Sequence, residues 1–133
     1  MINEKNKESL INYRLQQAEE TISEIQILLD NKLYRTAVNR IYYGMFYALL
    51  ALALKYNFQS SKHLQLIGWF NKNFIKTNIT PIEYGKILRN AFENRMDGDY
   101  APYMEFTSKD ILDMMDDMID FINQIKGIIK NQL

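Results

Sequence analysis

Apolar residues recur at three-and-four spacing over most of this chain, the pattern of helices that bury one face. Over roughly residues 5–30, Ile11, Leu15, Ala18, Ile22, Ile25 and Leu29 make one such stripe. A second stripe, over roughly 108–130, holds Ile111, Met115, Met118, Ile122, Ile125 and Ile129 and follows Thr107-x-x-Asp110, a sequence that resembles a capping box. Between them, a helix over roughly 33–57 carries Val38, Tyr42, Met45, Leu49, Leu52 and Tyr56 at the same spacing. Its other faces are apolar too, which predicts a central helix touched from several sides. Ser60 or Ser61 can cap a third helix over about 62–75, with Leu64, Ile67, Trp69, Phe70 and Phe74. Thr80 can cap a fourth, with Pro81 at its first position, running to about Met96 and closed by a left-handed Gly98.

Five helices joined by short connections predict an all-α fold: an up-and-down antiparallel bundle with a four-helix core plus one additional helix. The chain has two prolines, five glycines and no repeat or linker, so residues 1–133 read as one helical domain with its core over about 10–125. Sixteen basic and sixteen acidic residues cancel, leaving no global field to attract nucleic acid or anionic membrane. The absence of cysteine excludes disulfides and thiolate chemistry. The segment MINEKNKES lacks the apolar stretch of a secretory signal. Ile41–Leu54 would span roughly 21 Å as a helix, short of the roughly 30 Å hydrocarbon core. The expectation is a soluble, cytoplasmic protein with no membrane association.

Polar chemistry is confined to a few places. Arg40, Tyr43 and Tyr47 share a face of the second helix, with Gly44 thinning the surface between them. Such a face can hold an anion or stack a base; the alternative, which we favour, is a second packed face with Arg40 paired to a carboxylate. His63 is the only histidine, placed near the start of the third helix, where the dipole lowers its pKa. Its plain alternative is a capping or surface histidine. In Arg95-Met96-Asp97-Gly98-Asp99-Tyr100, Arg95 is expected to end the fourth helix with Asp97, Asp99 and Tyr100 in the turn beyond. Asp97, Asp99 and Glu93 match no regular metal-binding loop, so an Arg95–Asp99 bridge is favoured and neither metal nor cofactor is expected. Asp110, Asp113, Asp116, Asp117 and Asp120 read as the solvated face of the last helix, and the seven methionines as core filler.

Three motifs occur in order: Ala37-Val38-Asn39-Arg40-Ile41-Tyr42-Tyr43-Gly44-Met45-Phe46-Tyr47-Ala48, Ser61-Lys62-His63, and Arg95-x-x-x-Asp99-Tyr100. Together they resemble the HEPN superfamily of small helical domains, over roughly residues 10–125. That resemblance implies a bundle that commonly dimerises, with Arg95 facing a cleft shared between subunits. Many HEPN proteins are metal-independent ribonucleases, toxins paired with a small nucleotidyltransferase, whose working motif is an arginine followed four to six residues later by histidine. Arg95 matches the arginine; at the histidine's place stand Asp99, Tyr100 and Ala101.

An aspartate of ordinary pKa is a poor acid at neutral pH, and one bridged to arginine poorer still. The leading expectation is therefore a noncatalytic or regulatory homodimer whose Arg40, Tyr43, Tyr47, His63, Arg95, Asp99 and Tyr100 line a cleft for RNA, a nucleotide or a partner chain. The rival is a divergent ribonuclease toxin using Arg95, His63 and Asp99, which requires the third helix to bring His63 beside Arg95. A third reading is a purely structural interaction module.

Overall fold

In a computed structural model the described residues, 3–131, are helical almost throughout, with no strand among them. The chain ends at 1–2 and 132–133, included in the expected single domain, lie outside the described residues. The helices are α1 (Glu4–Asp30), α2 (Tyr34–Lys55), α3 (His63–Phe70), α4 (Ile82–Tyr100) and α5 (Ser108–Asn131), and α3 runs on into a π-helical turn, Asn71–Ile75. Asn3 caps α1 by accepting from the Asn6 amide at 2.8 Å. Lys32, Asn57 and Asn78 take positive φ (58°, 61° and 63°) just beyond helix ends.

α2 is the centre of the bundle, packed against α1, α5 and α4, while α3 is the additional helix laid against it. Thirteen of its residues are buried, including Tyr42, Met45, Leu49 and Leu52. By length and composition α2 can also cross a membrane, which the shorter Ile41–Leu54 count did not anticipate; most of that stretch is buried against the other helices, and burial rather than length marks it as a core helix. The stripes of α1 and α5 supply Ala18, Ile25, Ile111, Met118, Ile122 and Ile125 to the same core. Gly44 belongs here and not to the tyrosine face: a Cβ on it would overlap Met118 Cε and approach Thr21 Cγ2 to 3.2 Å, so its role is the close packing of α2 on α1 and α5.

Helix starts follow the predicted chemistry unevenly. Thr107 and Asp110 form the reciprocal capping box, with amide-to-side-chain distances of 2.9 and 3.1 Å. Ser60 accepts from the Lys62 amide at 3.1 Å, but Lys62 itself occupies the cap position of α3. Pro81, expected inside α4, is its N-cap, and Thr80 is buried with its hydroxyl unpartnered.

The largest departure is at the end of α4. The helix does not stop near Met96 but runs through Gly98, which has ordinary negative φ, to Tyr100. Tertiary contacts override the glycine's weak helix propensity. Phe106 packs beside Gly98, and the Arg35 guanidinium donates to the carbonyls of Gly98 and Met104 and, at 3.2 Å each, of Ala101 and Pro102. A cation on these terminal carbonyls also complements the negative end of the helix dipole. Arg95 is consequently an interior residue of α4, and Asp97 and Asp99 are helical rather than turn residues.

Candidate functional site

Tyr42 is wholly buried in α2, yet its hydroxyl reaches out of the core to lie 2.7 Å from Nδ1 of His63, the first residue of α3. The imidazole stacks on Phe46, with centroids 4.2 Å apart and planes within 10°, and meets Tyr43 edge-on at 5.8 Å. One ring nitrogen, two aromatic faces and the start of a helix thus fix the histidine. No described residue offers a hydrogen bond to Nε2.

Arg95 comes to the same place from α4. Its guanidinium lies 5.6 Å from the centre of the Tyr42 ring and 5.4 Å from that of Tyr43, within cation–π range of both. Asp99, one turn on, sits 3.3 Å from Arg95 Nε, so the expected bridge exists, but as an i,i+4 pair inside a helix. That contact is an ion pair without hydrogen-bond alignment, since Nε is buried and unpartnered by directional criteria. The Arg95 side chain is only 16% exposed.

The electrostatics follow from this crowding. Burial pushes the Tyr42 hydroxyl far above the usual tyrosine pKa, with the Arg95 charge opposing, so the phenol keeps its proton at neutral pH. His63 is lowered from its ordinary 6.5, first by burial and then by the Arg95 charge, and the ring is neutral at pH 7. The expected direction holds, with desolvation and a neighbouring cation as its causes in place of the helix dipole.

Arg40 forms a second tier. Its guanidinium stands 6.0 Å from the Tyr43 ring centre and 5.9 Å from that of Tyr47, and its Nε is 3.4 Å from Glu24. The favoured packed-face reading, with Arg40 paired to a carboxylate, matches this geometry. Tyr43 joins the two tiers, because both arginines lie on it. Tyr100, by contrast, is 72% exposed and joins none of these contacts. It is the last residue of α4, one turn beyond Arg95.

Tyr42 reads from the sequence as a position of the apolar stripe and Phe46 only as part of the first motif; their contacts with His63 bring both to the site. The Tyr42-Tyr43 pair was the available signal, since one of two adjacent helical residues points to the core and the other beside it. The acidic run of α5 has dispersed partners: Asp110 in the capping box, Asp113 with Lys109 at 2.8 Å, Asp120 with the Tyr84 hydroxyl at 2.9 Å. Asp117 lines a small cavity of about 30 Å³ with Asn90 and Asn94, and its pKa is raised by burial and by neighbouring aspartates, so this part of the face is not simply solvated. Among the described residues no three His, Asp or Glu side chains gather as a metal site.

A helical bundle with an arginine of its fourth helix set against tyrosines of its second is the frame on which the comparisons bear. The family model for the HEPN domain matches residues 11–128. The chain belongs to the HEPN domain family. Among its relatives, a Thermotoga maritima protein named "UPF0332 protein" is 35% identical over 125 residues, 94% of this chain and 95% of that protein. Two Methanocaldococcus jannaschii proteins, each named "Putative toxin", are 33% identical over 116 residues (87% of this chain, 86% of the relative) and 30% over 112 (84% and 76%). In this HEPN protein the arginine of α4 and an imidazole from α3, 32 positions earlier in the chain (95 − 63), are brought to the same tyrosine of α2.

Proposed function

We propose that this HEPN protein cleaves RNA through the 2′-hydroxyl, with His63 as general base and Arg95 as the charge that stabilises the transition state. The observation that carries the proposal is the convergence of His63 and Arg95 on Tyr42, the condition on which the ribonuclease alternative depended. Support also comes from the M. jannaschii relatives that carry the name "Putative toxin".

The chemistry follows from the two ring nitrogens. When Nδ1–H donates to the Tyr42 oxygen, Nε2 presents a lone pair, and a neutral ring of depressed pKa is in the base form at pH 7. Nε2 takes the 2′-hydroxyl proton, O2′ bonds to phosphorus, and the P–O5′ bond breaks as O5′ takes a proton from water. The products are a 2′,3′-cyclic phosphate and a 5′-hydroxyl. The Arg95 guanidinium faces the negative charge that builds on the phosphoryl oxygens, in a setting where burial strengthens the interaction. Tyr43 offers a ring edge beside His63 for a flanking base.

The test is cleavage of a single-stranded RNA by purified protein in EDTA, with products resolved by end chemistry. His63→Ala and Arg95→Ala are each expected to lower the rate by about 100-fold or more. RNA left intact by the unaltered protein, or cut equally by both variants, sinks the proposal. A binding module that does not cut is favoured by one observation, the Asp99 carboxylate already beside Arg95; its mark is RNA retained uncut, with retention lost in Arg95→Ala.

A further inference from the structure

α3 and α4 flank a groove of about 470 Å³, because α3 itself scarcely touches α4 and the two are held together through the π-helical turn. Gly85 makes that junction: a Cβ there would stand 3.3 Å from both Asn71 Oδ1 and Ile75 Cγ1. Away from this pinch the elements splay, and Leu64, Ile82 and Phe92 form an apolar floor. Leu64 is 69% and Ile82 66% exposed, a large aliphatic surface for two helices of a small protein.

The rim has one sign. Lys76, Lys86 and Arg89 line the groove and no acidic residue does, in a chain whose total charge is zero. Arg89 has only a long, exposed ion pair with Glu93 at 3.9 Å, and neither lysine has a described carboxylate partner. The groove also leads to the site already described: Phe92 packs edge-on against Tyr42 at 5.6 Å, and Leu64 follows His63 in sequence.

We infer that this groove seats an amphipathic helix of a partner protein, with aliphatic residues on its buried face and glutamates or aspartates along its flanks. An aliphatic floor suits the apolar stripe of a helix, and three cations, two of them without a described carboxylate partner and the third in a long exposed pair, suit acidic flanks. Bound RNA would be served by exposed aromatic faces, whereas this floor is mainly Leu and Ile and its one aromatic ring is engaged with Tyr42. Because the groove is lined by Leu64, the residue after His63, and by Phe92, which packs on Tyr42, its occupant sits beside the imidazole and regulates access to it; this consequence rests on the proposed ribonuclease function, whereas the docking does not.

The probe is a fluorescein-labelled helical peptide of about 18 residues with Leu at three-and-four spacing and Glu on its flanks, followed by anisotropy with the full chain. Saturable binding is expected, weakened at least tenfold by Lys86→Glu with Arg89→Glu and, separately, by Ile82→Asp. All three positions are exposed, so thermal melting should be unchanged. A peptide with Lys flanks is expected to bind at least tenfold more weakly. The inference is overturned if the Glu peptide fails to bind, if the Lys peptide binds equally, or if the groove variants leave binding unaltered. It is also overturned if a single-stranded RNA displaces the peptide and loses affinity with the same variants, or if those variants dissociate a dimer of this chain. None of these readouts uses cleavage, so failure here and failure of the ribonuclease proposal are separately visible.

Discussion

Arg40 and Arg95 both stack on Tyr43, at 6.0 and 5.4 Å from its ring centre, yet they are different chemical objects. Arg40 lies on the outer tier, with Tyr47 on its other side and Glu24 of α1 at 3.4 Å, and its side chain is more exposed. Arg95 lies on the inner tier, over the Tyr42 ring whose hydroxyl holds His63, and close enough to lower the imidazole pKa. A shared tyrosine therefore does not make the two guanidiniums equivalent. Of the two, only the inner arginine is placed to act on the imidazole.

The sharpest way to break this comparison is to exchange each arginine for methionine, which keeps much of the stem. Arg95→Met is expected to lower RNA cleavage by about 100- to 1,000-fold, and Arg40→Met by no more than about threefold, measured as single-turnover rates. Equal losses would make the two tiers one site and refute the distinction.

Next in size is Tyr42→Phe, which removes a hydrogen bond from a fully buried ring and leaves His63 Nδ1 without it. Denaturant unfolding should show a loss of about 1 kcal/mol. Nitrogen NMR of the single histidine should also show its tautomer change, whereas Tyr47→Phe should leave that spectrum as it is. An unaltered His63 signal in Tyr42→Phe would show that the phenol does not set the tautomer.

His63 titration gives a finer discrimination. Removing the Arg95 charge should move its pKa back toward 6.5, and removing Arg40 should not. The same shift has a stability consequence of definite sign. The folded pKa lies below the unfolded value, so the unfolded chain binds the proton more readily. His63 therefore makes stability decline as pH falls through about 6.5 toward the folded pKa, with no penalty above that range. Melting temperature against pH in His63→Gln should lack this component; an identical profile would contradict it.

The smallest effects belong to the carboxylates. Glu24→Gln should change stability by less than about 0.5 kcal/mol, because the pair is solvated. Asp99→Asn should cost no more than about 1 kcal/mol, since its contact with Arg95 lacks hydrogen-bond alignment. A larger loss in Asp99→Asn would favour the purely structural reading of the inner arginine.

Local rules went far with the helices. The stripes of α1 and α5 place their core residues, the apolar surround of α2 places it at the centre, and Thr107 with Asp110 marks the start of α5. The Arg95–Asp99 pair was also legible, though as a bridge fixing a turn and not as the i,i+4 pair of a continuing helix that it is. Gly98 misled because propensity is weak: Arg35, 63 positions away, gathers the carbonyls that a helix end would have left to solvent. Gly44 misled for a related reason, since which neighbour a helical face meets is decided by the packing of α1 and α5.

By itself, then, the sequence determined the all-α class, the helices and their order, the central place of α2, and the family to which the three motifs belong. Periodicity, caps and short connections act over a few residues, and their energies are written in neighbours along the chain. Only the tertiary structure decided that Tyr42 turns its hydroxyl to His63, that Arg95 lies over the same ring, and that α3 and α4 part to leave a cationic groove. Those outcomes depend on angles and distances between helices, which close packing of the whole core sets and no local spacing encodes.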